Sequence, residues 1–201
     1  KPSVIILVHV LGHSNDMNEI MKICNRHKVL LIEDTCEAIG SEYNSKKLGT
    51  FGLASSFSFY YGHHISTIEG GMACTNDEEL SRVMTSVRSH GWLRDINDKF
   101  KKKLYFKNNI SNFQSNFSFF HSGFNIRSTE INAFLGLSQI KKINNIVKLR
   151  KRNFYIYKKE LKNFFSVKCK TENLSNFGYA TLVKNRNKLF RHLNDKGIEC
   201  R

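Results

Sequence analysis

"VIILVHVLGHSNDMNEIMKICNRHKVLLIED", residues 4–34, decides the fold. It opens on apolar and β-branched residues and then spaces Met17, Ile20, Met21 and Cys24 along one helical face behind a cap at Asn15 or Asp16. A second apolar run at 29–32 follows at once and ends on Glu33 and Asp34. Strand, amphipathic helix and strand in this length make a βαβ unit, whose strands run parallel because the helix carries the chain back. The class is α/β, and both strands are expected to be buried on two faces.

Working outward, residues 35–53 read as turn and loop, and 54–61 as a third strand rich in serine and aromatics. Residues 72–75 form a short strand, and 76–79, Asn-Asp-Glu-Glu, a capping box opening a helix to about His90. Residues 95–120 are polar with interspersed aromatics and no clean period, which predicts a long functional loop. From Ser128 one long amphipathic helix is expected, with Ile131, Leu135, Ile140, Ile143 and Leu149 on its apolar side, continuing as far as Lys162. Strands at 166–169 and 179–183 and a helix at 185–195, stopped by Gly197, begin a second α+β unit.

Composition narrows the class. With 40% hydrophobic and 24% charged residues, the 201-residue chain has a globular rather than a disordered make-up. No apolar run approaches the roughly 18 residues of a membrane span. The first residues resemble no signal peptide, so no membrane partner and a cytoplasmic location are expected. Five scattered cysteines, no two closer than 12 positions, lack the short spacings of compact zinc and iron–sulfur sites, and no metal is expected. Their odd number fits reduced thiols. The net charge of +15 favours anionic partners. The basic runs at 101–103, 141–142 and 150–152 read as solvated faces, and without a nucleic-acid motif a phosphate-bearing small molecule is the better partner.

In an open α/β sheet, ligands collect beyond the carboxyl ends of the strands. Asp34 stands there after the second strand, and His63 and His64 after the third, so a carboxylate and an imidazole reach the same edge. On pattern alone, Asp34 serves equally well as a turn residue. Gly70 and Gly71 would let backbone approach a ligand closely, although most such pairs are only turns.

"IEDTCEAIGSEYNSKKLGTFGLASSFSFYYGHHISTIEGGMACTNDEEL", residues 32–80, with "SGFNIRSTEINAFLGLSQIKKI", residues 122–143, resembles the DegT/DnrJ/StrS group of pyridoxal-phosphate-dependent nucleotide-sugar enzymes. The resemblance runs over nearly the whole chain. It implies the aspartate-aminotransferase fold, fold type I, with part of the large cofactor-binding domain in 1–147 and part of the small domain in 148–201. It also implies that Asp34 pairs with the pyridine nitrogen of the cofactor and that Glu37, where relatives more often carry glutamine, meets the ring hydroxyl. Ser58 would contact the cofactor phosphate. Asn125 would reach the phosphate in the neighbouring subunit, which implies a homodimer.

His63 departs from the family pattern. Family aminotransferases have a lysine there, which holds the cofactor covalently and shuttles protons. Imidazole has no primary amine, so the cofactor must be held without a covalent bond, most naturally as pyridoxamine phosphate, while a ring nitrogen still carries protons near neutral pH. The substitution resembles the family's sugar 3-dehydratases of lipopolysaccharide synthesis. It implies His63 as the catalytic base in loss of the C3 hydroxyl from a 4-keto-6-deoxy sugar, and His64 as a neighbour. The stretch 88–103 lacks the clustered cysteines of the iron–sulfur type. A metal-free enzyme acting on GDP-4-keto-6-deoxymannose, with glutamate as amino donor, is the closer resemblance. A sugar aminotransferase and an inactive truncated homologue are the alternatives. The family's chains are longer, and neither the ring-stacking aromatic residue nor the second phosphate loop precedes Lys1, so the sequence reads as a fragment.

Overall fold

A computed structural model describes residues 2–162 and 173–200. Chain order is β1 (Val4–Val8), α1 (Met17–His27), β2 (Leu30–Asp34), a small hairpin of β3 (Glu42–Tyr43) and β4 (Lys46–Lys47), then β5 (Ala54–Ser58), β6 (Gly71–Thr75) and α2 (Glu78–Val87). The helices α3 (Asp98–Lys107), α4 (Asn112–Ser115), α5 (Glu130–Ile140), α6 (Ile143–Glu160) and α7 (Arg186–Asp195) complete it. The main sheet has the order β1-β2-β5-β6. β1, β2 and β5 run parallel, as the βαβ unit requires, and β6 returns antiparallel beside β5. The register sets Val8 beside Asp34 and Asp34 beside Ser56, so three strands end at one edge.

The helix α1 forms as its residues dictate. The Asp16 carboxylate accepts from the Glu19 amide at its start, and Lys28, at φ +52°, turns the chain out into β2. Its apolar face supplies Met17 and Cys24 to a core with Leu31, Ala38, Tyr43 and Leu48, against which Ile5, Leu7, Ile20, Met21 and Phe51 pack. The strands are not covered on two faces as expected. Val4, Ile6, Val8 and Leu30 point away from α1 and are exposed, since no described element packs on that side.

Several expected elements change. The third strand stops at Ser58, because the chain turns through Tyr60 to His63, whose amide donates to the Tyr60 carbonyl. The cap of α2 is Asp77 accepting from Leu80, which puts Leu80 where a capping box needs a glutamate. Residues 95–120 hold α3 and α4 rather than a bare loop. The Asn97 side chain starts α3, and Phe100 and Leu104 recur one turn apart among lysines that dilute the period. The long helix after Ser128 is two helices separated at Lys141 and Lys142. Of 179–183, only Leu182 makes a β-bridge, while 166–169 lie outside the described residues.

Candidate active site

Asp34 is the last residue of β2 and the centre of the strand-end cluster. Its Oδ1 accepts from the Cys36 amide at 3.1 Å and the Ser56 hydroxyl at 3.3 Å, and its Oδ2 has no partner among the described residues. Burial works to raise its titration, but bonds from the Cys36 thiol and amide and from Ser56 outweigh that and hold the carboxyl below the usual range. Burial and the neighbouring Asp34 carboxylate push the Cys36 thiol up to about 11, so it stays protonated and acts as a donor rather than a nucleophile.

The carbonyl of Cys36 ties the second strand end to the third. It accepts from His63 Nδ1 at 2.8 Å. A carbonyl only accepts, so Nδ1 carries the proton and the neutral ring presents its lone pair at Nε2. His63 is half-buried, with its ring edge-on to Phe177, centroids 5.1 Å apart, and to Tyr60 at 6.0 Å.

The remaining expected residues divide. Ser58 lies two residues beyond Ser56 on the same face of β5, and its hydroxyl accepts from the Tyr60 amide at 3.2 Å. Glu37 uses one carboxylate oxygen to accept from the Leu11 amide at 2.6 Å, fixing a short turn in which Leu11 takes φ +55°. Asn125 stands apart. It is exposed, its backbone bridges Ser89, and no described hydrogen bond joins its side chain to the cluster. Among the described residues, no three His, Cys, Asp or Glu are grouped to hold a metal ion. No described helix is long and apolar enough to cross a membrane.

Two parts of the site escaped sequence reasoning. One is Glu33, wholly buried, which accepts from His9 Nε2 at 3.1 Å and from the amides of Gly49, Phe51 and Gly52. The signal was available, because alternation puts Glu33 on the core face with Leu31, and a buried carboxylate needs partners. The other is residues 174–177, which close over His64. His64 is 3% exposed, and its Nε2 lies 3.0 Å from the Ser175 hydroxyl and 3.3 Å from the Ser175 carbonyl. Burial first, and the Arg150 charge second, push His64 down to about 4, so its ring is neutral at ordinary pH. No local pattern announces a contact spanning 111 residues.

The model of the DegT/DnrJ/EryC1/StrS aminotransferase family matches residues 1–201. The chain belongs to that family. GDP-4-keto-6-deoxy-D-mannose 3-dehydratase of Escherichia coli O55:H7 is 35% identical over 98% of this DegT-family chain and 52% of its own length. A structure of the E. coli 3-dehydratase with bound hydrated PLP superposes with a TM-score of 0.87 at 32% identity, covering 100% of this chain and 53% of the other. GDP-perosamine synthase of E. coli O157:H7 is 30% identical, over 100% of this chain and 51% of its own. The fold is therefore that of the PLP fold type I enzymes, and the chain spans about half the length of the curated relatives it matches.

Proposed function

We propose that this chain is part of a nucleotide-sugar 3-dehydratase that uses pyridoxal or pyridoxamine phosphate, takes GDP-4-keto-6-deoxymannose and releases a 3,6-dideoxy-4-keto sugar for lipopolysaccharide synthesis. Glutamate is the amino donor, the assembly is a homodimer, and the location is cytoplasmic. The observation that carries the reading is His63, an imidazole at the strand edge with Nδ1 committed to the Cys36 carbonyl and Nε2 left as the base. The similarity to the E. coli 3-dehydratase supports it.

The donor set fits the cofactor. Asp34 keeps one oxygen for Cys36 and Ser56 and leaves Oδ2 for a protonated ring nitrogen, and its lowered titration keeps it anionic. Glu37 would stand by the ring hydroxyl, Ser58 by the phosphate, and Asn125 by the phosphate in the partner subunit. When bound, the cofactor supplies an electron sink. His63 Nε2 takes a proton from the reacting carbon, and its Nδ1–H bond to Cys36 fixes which nitrogen does so. Cys36 stays a neutral donor to Asp34 and does not compete as a nucleophile. The same reading divides the chain into large-domain residues 1–147 and small-domain residues 148–201, with α6 running through the boundary.

The test is incubation of the holoenzyme with pyridoxal phosphate, glutamate and GDP-4-keto-6-deoxymannose, with the product read by mass spectrometry. A 3-deoxy product that disappears in His63→Asn, while cofactor still binds, is expected. A 4-amino sugar retaining its C3 hydroxyl would instead establish a transaminase, and no spectral change on adding cofactor an inert homologue.

A further inference from the structure

The segment Leu174 to Phe177 has no regular secondary structure, yet Leu174, Ser175 and Asn176 are buried and the segment is tied down from four directions. The Ser175 amide donates to the Ser41 hydroxyl at 2.9 Å. His64 Nε2 holds the Ser175 hydroxyl, and the Phe177 amide donates to the Leu11 carbonyl at 3.1 Å. Arg150 Nη1, from α6, donates to the Asn176 carbonyl at 2.9 Å and the Phe177 carbonyl at 3.3 Å. Gly12 passes so close that a β-carbon there would lie 2.5 Å from the Ser175 carbonyl oxygen. So many anchors on four residues of irregular chain call for something that must be held in place.

What the anchors hold is Phe177. Its ring lies edge-on to His63 with centroids 5.1 Å apart, tilted against His64 at 6.4 Å, and under the Arg150 guanidinium at 5.9 Å. Among the described residues the His63 ring has one hydrogen-bond tether, at Nδ1, which alone leaves the ring free to rock and to change rotamer. Phe177 and Tyr60 both pack edge-on to the ring, Phe177 the nearer of the two, and restrict its movement. We infer that Phe177 is a positioning residue for the His63 base, and that His64 and Ser175 form the clasp seating it, so the two adjacent histidines do different work. His64 Nε2–H is the donor of the clasp, because the Ser175 carbonyl beside it can only accept.

This inference rests on the reading of His63 as the base, and the test separates the two. Phe177→Leu in the holoenzyme should lower kcat about 10- to 100-fold, the scale of a misplaced catalytic group, while KM for the sugar and cofactor affinity barely move. His64→Ala should do the same, and His64→Gln, whose amide nitrogen can donate where Nε2 does, should recover most of the loss. Independently of turnover, the ¹⁵N shifts of His63 should change from one Nδ1–H tautomer in wild type to a mixture in Phe177→Leu. Wild-type kcat and an unchanged His63 tautomer in Phe177→Leu would overturn the inference, as would a loss confined to KM. If His64→Ala does not fold, Phe177→Leu and the ¹⁵N measurement still decide. His63→Asn is the control for the underlying reading: if it keeps full activity, His63 is not the base, whatever Phe177 does.

Discussion

Replacing Glu33 by glutamine tests how the strand end beside Asp34 is held. The carboxylate accepts at Oε1 from Phe51 (2.7 Å) and Gly52 (2.8 Å), and at Oε2 from Gly49 (2.8 Å) and His9 (3.1 Å). Burial pushes its titration up, but His9 and the three amides together pull it below the ordinary carboxylate range. A glutamine of the same shape can keep its oxygen at the Oε1 position and retain two of the bonds. Its NH₂ then faces the Gly49 N–H, donor against donor. His9 can adapt by moving its proton to Nδ1 and accepting at Nε2, but a backbone amide cannot. One orphaned buried amide costs about 1–3 kcal/mol, and the two retained bonds each fall from charged to neutral strength, about 1 kcal/mol apiece, for a total of about 3–5 kcal/mol. That is a large part of the 5–15 kcal/mol that typically stabilises a domain. The sign with pH follows. A carboxyl whose folded titration lies below its unfolded one contributes stability above the unfolded value, about 4.3, and loses it as pH falls through the folded value. Urea unfolding at pH 7 should show a much lower midpoint for Glu33→Gln, and the gap to wild type should narrow on acidification below about pH 4. Equal midpoints at pH 7 with equal slopes would refute the reasoning.

Three other outcomes are expected. Asp34→Asn removes the anion proposed to face the ring nitrogen, and an absorbance titration should show cofactor binding weakened about 10- to 100-fold, the equivalent of one hydrogen bond to a charged group; unchanged binding would remove Asp34 from the site. Gly12→Ala forces a β-carbon onto the Ser175 carbonyl at φ +89° and should cost about 1–3 kcal/mol, read as a lower melting temperature. His64 is held near 4 in the fold against about 6.5 unfolded, so acid favours the unfolded chain, and between pH 6.5 and 4 stability should fall by about 3 kcal/mol through this group. In His64→Gln that stretch of the stability curve should flatten, and an unchanged curve would mean that His64 is not buried neutral.

What was legible in the sequence is what local chemistry dictates. The βαβ unit, the cap at Asp16, the stop at Gly197 and the position of Asp34 at a strand mouth all follow from a few neighbouring residues. The helix α3 was hidden because five lysines in ten residues weaken its apolar stripe, although Asn97 marks its start. The break at Lys141 and Lys142 carries no proline or glycine, so the apolar period runs through it unmarked. The exposed face of β1 and β2 could not be foreseen from residues that alternate between two apolar sides. The clasp on His64 joins residues 111 apart, and only the folded chain brings them together.

Side chains of adjacent residues point in different directions, which is why His63 and His64 meet different surroundings. His63 stays half-buried, tethered to a carbonyl 27 residues away, and has an unencumbered Nε2. His64 turns inward, where charging its ring beside Arg150 is costly, and its Nε2 is spent on Ser175. A group that stays neutral down to about pH 4 is a poor proton acceptor at pH 7, but an uncharged N–H donor is well suited to hold a buried hydroxyl and carbonyl. In sequence, the preference for His63 as the base depended on register with a family lysine alone. Burial supports the same choice by a separate route, because with Nε2–H spent on Ser175 the lone pair of His64 lies at Nδ1, which is itself buried away from any bound substrate.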